Sequence, residues 1–286
     1  MKRIKEFLRT LIDIMWSKEM VHLPGNLAFF IVLSIFPILT LVGMLSSYFS
    51  VSLTGVSNIM SRALPSGVDN ILLPFVDGNF TRNAVISIVF AFILASNGSH
   101  ALILASNSLY GIKNSSYLKR RIKALFLIVL MILLFIFMIA FLTYGNVLYS
   151  MILSSVTYEP VNDVLYYIFS YIKWPIAMVI IFIIMKIVYV LSPDGKIPSK
   201  TTSKGALFTT VGFTIATAIF SFYVGHFSAY DIYYGSIATI AVLMMWIYIL
   251  SYVIVTGIAI NVRNYNKYQA KNMNNVRKND NNINVL

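Results

Sequence analysis

The chain contains no cysteine, which excludes a disulfide framework, a thiolate nucleophile and a cysteine-ligated metal. Acidic residues are scarce too: 10 aspartates and glutamates stand against 22 lysines and arginines. None of the ten lies deep in an apolar stretch, which removes the paired carboxylates of acid–base catalysis and the usual proton relay of a coupled carrier. The three histidines, His22, His100 and His226, fall at an inner edge, within a span and near an outer edge of the predicted topology, so they do not converge on one metal. There is no Walker-type phosphate loop and no Gly-x-Ser-x-Gly elbow. Neither a metal nor a cofactor nor a catalytic residue is expected, and an enzyme is not the expected function. No internal repeat of fixed period stands out, so an inverted-repeat transporter is not supported.

Apolar sequence is what the chain has in excess. Hydrophobic residues make up 58% of it and the mean hydropathy is +0.79. Six long stretches account for this, at roughly 24–49, 84–111, 124–150, 164–191, 205–228 and 235–261. A bilayer span needs ~20 mostly apolar residues, so each can cross with tilt to spare. The expected fold is all-α, a polytopic domain over 23–262 with six transmembrane helices.

Basic residues set the predicted orientation. Nineteen of the 22 lie in the N-terminal segment, in or beside the second and fourth gaps, or in the C-terminal tail. The exceptions are Arg62, Arg82 and Lys173, in or beside the odd gaps with Asp69, Asp77, Glu159, Asp163 and Asp231. Both termini are therefore predicted to be cytoplasmic. The same rule accounts for the net charge of +12, and anionic headgroups attract juxtamembrane lysines. Nucleic acid is not expected as a partner; membrane lipids, anionic ones above all, are.

Three segments flank the spans. Residues 1–22 are not a cleavable signal, because Glu6, Asp13 and Glu19 interrupt any apolar core. Ile4, Leu8, Leu11, Ile12 and Met15 recur there at helical spacing, with Lys5, Arg9 and Asp13 mostly opposite, which reads either as an amphipathic cytoplasmic helix or as an ordinary topogenic flank. The first outer loop reads as a short helical hairpin, with apolar-periodic pieces around 56–64 and 68–76 divided by Pro65, Ser66 and Gly67. Residues 263–286, with nine asparagines and interspersed charge, read as a disordered basic cytoplasmic tail. Tyr158, Tyr166, Tyr167, Tyr171 and Trp174 suit an aromatic belt at the outer interface.

Polar residues inside spans are informative because hydrocarbon offers them no partner. The second span carries Ser96, Asn97, Ser99, His100, Ser106 and Asn107, mostly on one helical face. The fifth carries Thr210, Thr214, Thr217 and Ser221 as a stripe, better read as helix packing because threonine also bonds its own helix carbonyls. Asn97 and His100 together favour a wet cavity, to which Asn26 and Ser34 of the first span contribute. Lys186 sits four to five residues before the end of its apolar run, where snorkelling is the preferred reading and a cationic cavity wall the sharper one. Pro37 and Pro175 are placed to kink their spans.

Several short motifs carry a resemblance. The first span holds Asn26-Leu27-Ala28, Leu33-Ser34 and Pro37; the fourth gap Pro193, Ile197, Pro198 and Gly205-Ala206; the last span Tyr234-Gly235-Ser236, Trp246, Tyr248, Gly257 and Asn261. The order and spacing over about residues 20–265 resemble the YihY/BrkB family, the group once labelled ribonuclease BN. The resemblance implies a six-helix bacterial inner-membrane protein of poorly defined activity, for which transport of lipid or another envelope component has been suggested. It marks Pro37, Pro198, Gly205, Tyr234, Gly235, Trp246, Gly257 and Asn261 as structural motif positions. The chain departs from the pattern at Ala259, where relatives commonly have glutamate, and at Tyr110, where they often have tryptophan.

The expected function is transport or flipping of an amphipathic anionic envelope component, a lipid or lipid precursor, through a partly polar cavity lined by Asn26, Ser34, Asn97, His100, Asn107 and Lys186. The alternative is a non-transporting membrane scaffold for envelope biogenesis. RNA hydrolysis is rejected, since it needs a metal site or an acid–base pair. Self-association into a homo-oligomer is left open.

Overall fold

A computed structural model describes residues 9, 11–48, 84–133, 159–226 and 236–283. Among the described residues every regular element is helical: α1 over 11–15, α2 (Glu19–Tyr48), α3 (Ala84–Tyr110), α4 over 117–133, α5 (Glu159–Leu191), α6 (Ser199–His226) and α7 (Ser236–Ile283). Unbroken helix through apolar sequence is what a bilayer demands, because backbone groups there must be paired within the segment. Pro24 and Pro37 stand inside α2 and Pro175 inside α5. The outer hairpin at 56–64 and 68–76, together with Tyr234 and Gly235, lies outside the described residues.

One core cluster draws on six helices, with Ile14 of α1, Leu27 of α2, Leu102 of α3, Tyr189 of α5, Ala206 of α6 and Val255 and Ile258 of α7 all buried in it. Here α2 packs on α3 and α7, and α6 packs on α5 and α7. The start of α4 joins through Ala124 and Leu127, which meet Ile103 of α3 and Leu191 of α5. Farther along, Ile128 and Ile132 of α4 cluster with Ala91 and Ala95 of α3.

The tightest crossing joins α6 to α7. A methyl group at Gly205 would collide with the Gly257 carbonyl oxygen and the Asn261 side chain, and one at Gly257 with Thr209 Oγ1 and Tyr189 Oη. Close approach of this kind is how small residues bring membrane helices together. Polar groups then fasten the contact. Gly205 N–H donates to Asn261 Oδ1 at 2.7 Å. Tyr189 Oη donates to the Ile254 carbonyl at 3.0 Å and meets Thr209 Oγ1 at 2.5 Å. A second contact of this type lies between α2 and α3, where Ser34 Oγ accepts from Gly98 N–H at 2.9 Å and donates to its own Phe30 carbonyl at 2.7 Å. Ser34 and Asn261 thus serve helix packing, each inserting an oxygen against the backbone of a neighbouring helix.

The outer surface is apolar. On α6, Leu207, Val211, Ile215, Ile219 and Phe222 are all exposed, at steps of four, four, four and three that form one continuous stripe. Phe29 and Leu33 of α2, Phe126 and Leu133 of α4 and Val179 and Ile183 of α5 are exposed as well. Leaving such a side chain in water forfeits ~1.5–3 kcal/mol, whereas lipid tails exact no such cost. Both α6, over Ser199–Phe220, and α7, over Ile240–Asn275, are long and apolar enough to cross a bilayer, and shorter apolar stretches occupy Glu19–Ile35 and Pro175–Leu191.

Two expectations are corrected. The tail is not disordered from residue 263: α7 continues without interruption to Ile283. Extending an existing helix avoids the cost of nucleation, and the extension is held at its base, where Tyr265 stacks edge-on against Tyr110 at 5.7 Å and accepts from Gln269 Nε2 at 2.8 Å. Arg263 also pairs with Asp13 at 3.4 Å, tying the tail to the N-terminal segment. That segment in turn is not one amphipathic helix through residue 22. The chain breaks at 16–18 between α1 and α2, with Ile14 and Met20 buried in the core while Ile12, Met15 and Trp16 stay exposed, Trp16 at 87%.

Candidate functional site

The polar side chains of the bundle gather where the end of α3, the start of α4 and the α5–α6 loop meet. Asn107 of α3 is fully buried, so each polar atom of its amide needs a partner. Its Oδ1 accepts from Asp194 N–H at 2.8 Å, and its Nδ2 donates to Asp194 Oδ2 at 2.8 Å and to Asn114 Oδ1 at 2.9 Å. Asp194 lies in the α5–α6 loop and also accepts from Ser115 N–H at 3.0 Å and from Lys123 Nζ at 3.2 Å. Lys123 donates a further bond to the Pro193 carbonyl at 2.6 Å. One carboxylate therefore ties together α3, the α3–α4 loop, α4 and the α5–α6 loop.

The electrostatics follow from that arrangement. Partial burial pushes the Asp194 carboxyl upward, but the backbone bond from Ser115 and the side-chain bonds from Asn107, Ser115 and Lys123 outweigh it and hold the group at about 2. Asp194 is an anion at neutral pH, held by three donors.

A cationic half adjoins this anionic knot. Arg121 donates from Nη1 to Asn97 Oδ1 at 2.9 Å and from Nη2 to the Ile93 carbonyl at 2.7 Å. Arg120 donates from Nη1 to the Ser115 carbonyl. The His100 ring meets the Tyr117 ring edge-on at 5.9 Å, and the guanidinium groups of Arg120 and Arg121 are close enough to act electrostatically on it. Both His100 Nε2 and Arg120 Nε are buried without a hydrogen-bond partner.

The six cavity residues expected from sequence do not form one site. Asn97, His100 and Asn107 belong to the cluster just described. Ser34 is spent on the α2–α3 contact, and Asn26 is exposed on α2. Lys186 lies elsewhere, on an open groove of about 490 Å³ along α5, lined by Phe182, Ile183, Ile187, Val190 and Leu191 with Ser199 at the start of α6. In the threonine stripe, Thr210 and Thr214 donate to the carbonyls of Ala206 and Thr210 in their own helix. Pro198 precedes α6 and its carbonyl accepts from Thr201 N–H at 2.9 Å. Trp246 Nε1 is buried without a partner, and Ala259 packs beside the main core cluster.

Sequence reasoning missed Asp194, Arg120, Arg121 and Lys123. Asp194 reads as a turn residue between Pro193 and Gly195, and the three cations read as topogenic charge. One signal was present: no acidic residue occurs between Asp77 and Glu159, so the basic run at 113–123 has to find its anion in a distant segment.

The family described as virulence factor BrkB matches residues 11–281. The chain belongs to the BrkB family. Over 242 residues it is 27% identical to the ribonuclease-like protein YfkH of Bacillus subtilis (strain 168), covering 83% of this chain and 87% of that one. Over 269 residues it is 26% identical to a UPF0761 membrane protein of Vibrio atlanticus (strain LGP32), covering 88% and 80%. A UPF0761 membrane protein of Glaesserella parasuis serovar 5 is 27% identical over 194 residues, 66% of this chain and 64% of that one. No solved structure matches the chain. BrkB membership and the exposed apolar faces of its helices make this a membrane protein, helical in every regular element among the described residues.

Proposed function

We propose that this BrkB protein crosses the plasma membrane six times, keeps both termini in the cytoplasm and moves an amphipathic anion, a lipid or lipid precursor, between leaflets. The observation that carries the reading is a charge imbalance at the junction of α3 and α4. There, among the described residues, Asp194 pairs with Lys123 alone, while Arg120 and Arg121 bond only neutral oxygens. Positive charge in excess beside apolar helix faces attracts an anionic headgroup, and exposed apolar stripes accommodate its chains. Lys186, a lone cation on the apolar wall of the α5 groove, supplies a second attraction apart from the cluster. No catalytic step is assigned to the chain, and the ribonuclease-like name remains that of YfkH.

The test is reconstitution. Purified protein in liposomes is expected to accelerate translocation of labelled phosphatidylglycerol over labelled phosphatidylcholine, and Arg120→Gln with Arg121→Gln is expected to abolish the difference. If correctly inserted protein accelerates neither lipid, the reading is wrong.

A scaffold reading draws on a different observation, the exposed Ile12, Met15 and Trp16 around the break after α1. It requires function to survive Asn97→Leu and His100→Leu and to be lost on deletion of residues 1–20, the reverse of the transport expectation.

A further inference from the structure

We infer that His100 and Arg120 form a binding site for a phosphate group, with the first turn of α4 as its third element. The inference deepens the transport reading and rests on it for the source of the ligand as a lipid. The argument begins with two donors that the fold leaves unused. Buried polar atoms are almost always paired, yet His100 Nε2 and Arg120 Nε are buried with no partner. An unpaired buried donor costs free energy in the empty protein and returns it when an acceptor arrives.

The geometry of Arg120 narrows the kind of acceptor. Its Nη1 is fixed by the Ser115 carbonyl, and Nε, which shares the other edge of the guanidinium with Nη2, is buried without a partner. That edge is a two-donor fork, matched to two oxygens of one phosphate or carboxylate. His100 in its Nε2–H tautomer adds a further donor. A phosphate offers a third oxygen beyond the two that a fork takes, and a carboxylate does not. Tyr117, whose ring touches His100, stands at the first position of α4, so the positive end of that helix also points at the site.

Neighbouring charges agree with this assignment. Arg121 is held by Asn97 and the Ile93 carbonyl and adds positive field without competing for the oxygens. The negative charge of Asp194 is offset by its ion pair with Lys123 at 3.2 Å, which leaves Arg120 and Arg121 as the uncompensated charges beside His100.

The experiment uses the full-length protein in phosphatidylcholine nanodiscs doped with a minor fraction of phosphatidic acid, with lipid retention read by native mass spectrometry. Wild type is expected to retain phosphatidic acid selectively. Arg120→Lys keeps the charge but loses the fork, and is expected to weaken retention about tenfold. His100→Phe keeps the ring against Tyr117 and is expected to weaken it several-fold. Lys119→Gln, at an exposed position, is expected to change little. Displacement of the lipid by inorganic phosphate assigns the site to free phosphate as well; persistence assigns it to the lipid. Equal retention by wild type, Arg120→Lys and His100→Phe overturns the site, as does a loss in Lys119→Gln as large as in Arg120→Lys. Selective retention without any lipid movement in liposomes leaves the site standing and removes transport, whereas movement undiminished in both variants removes the site and leaves transport.

Discussion

Asn107 and Asp194 meet through two hydrogen bonds, amide nitrogen to carboxylate and amide oxygen to backbone N–H, each of 2.8 Å, across 87 residues of sequence. This pair joins the end of α3 to the loop before α6 and sets the position of the polar cluster. Because Asn107 is completely buried, its amide has no water to fall back on. Replacing Asn107 by Ala is expected to cost about 2 kcal/mol by stranding its partners, measured as a lowered denaturation midpoint in mild detergent.

Acid should weaken the same knot. Asp194 titrates at about 2 in the folded protein against an ordinary 3.8, so its folded value is depressed. Its stabilisation is complete above pH ~4 and is lost as the pH falls toward ~2. Thermal midpoints in nonionic detergent should hold steady from neutrality to pH ~4 and then decline, and the decline attributable to this group should vanish in Asp194→Asn.

The glycine crossing gives a graded series. Gly205→Ala and Gly257→Ala place a methyl group against backbone or buried oxygens and are expected to cost more than ~3 kcal/mol, or to prevent accumulation in the membrane. A methyl at Gly25 meets only a Tyr248 ring carbon at 3.9 Å, an ordinary contact, so Gly25→Ala should leave the expression level and melting temperature near those of wild type. Gly111 has open space around it but a φ of +63°, and Gly111→Ala should cost about 1 kcal/mol from backbone strain alone.

Tyr189 links three helices through its hydroxyl, which reaches Thr209 of α6 and the Ile254 carbonyl of α7. Tyr189→Phe keeps the ring in place and is expected to lower stability by about 1 kcal/mol. The double variant with Thr209→Val should be less than additive, read from the four denaturation curves of the cycle.

Topology can be mapped directly because the chain has no cysteine of its own. Single cysteines at Lys119 and Lys196, both exposed, should react with a membrane-impermeant maleimide only after the cytoplasmic face is opened. Labelling of either in intact cells would defeat the proposed orientation.

The helices were legible in the sequence because a bilayer enforces a simple rule, long apolar runs with every backbone group paired inside them. Motif spacing also disclosed the family, and Gly205, Gly257 and Asn261 proved to share one crossing. The tail was misread because its asparagines score as disorder locally, while the base of the extension is held by Tyr110 and Asp13, residues remote in sequence. The candidate site was half legible: Asn97, His100 and Asn107 announced themselves as polar groups in apolar surroundings. Their partners Arg120, Arg121, Lys123 and Asp194 did not, since charges in loops look alike until the chain has folded.

Composition and periodicity alone thus determined a helical membrane protein, since hydrophobic burial depends on local sequence and needs no knowledge of neighbours. Only tertiary structure decided that Ser34 would pack helices, that Lys186 would stand apart on a groove and that Asp194 would neutralise Lys123. Hydrogen bonds act over about 3 Å, and which donors come that close to which acceptors is fixed by how the helices cross.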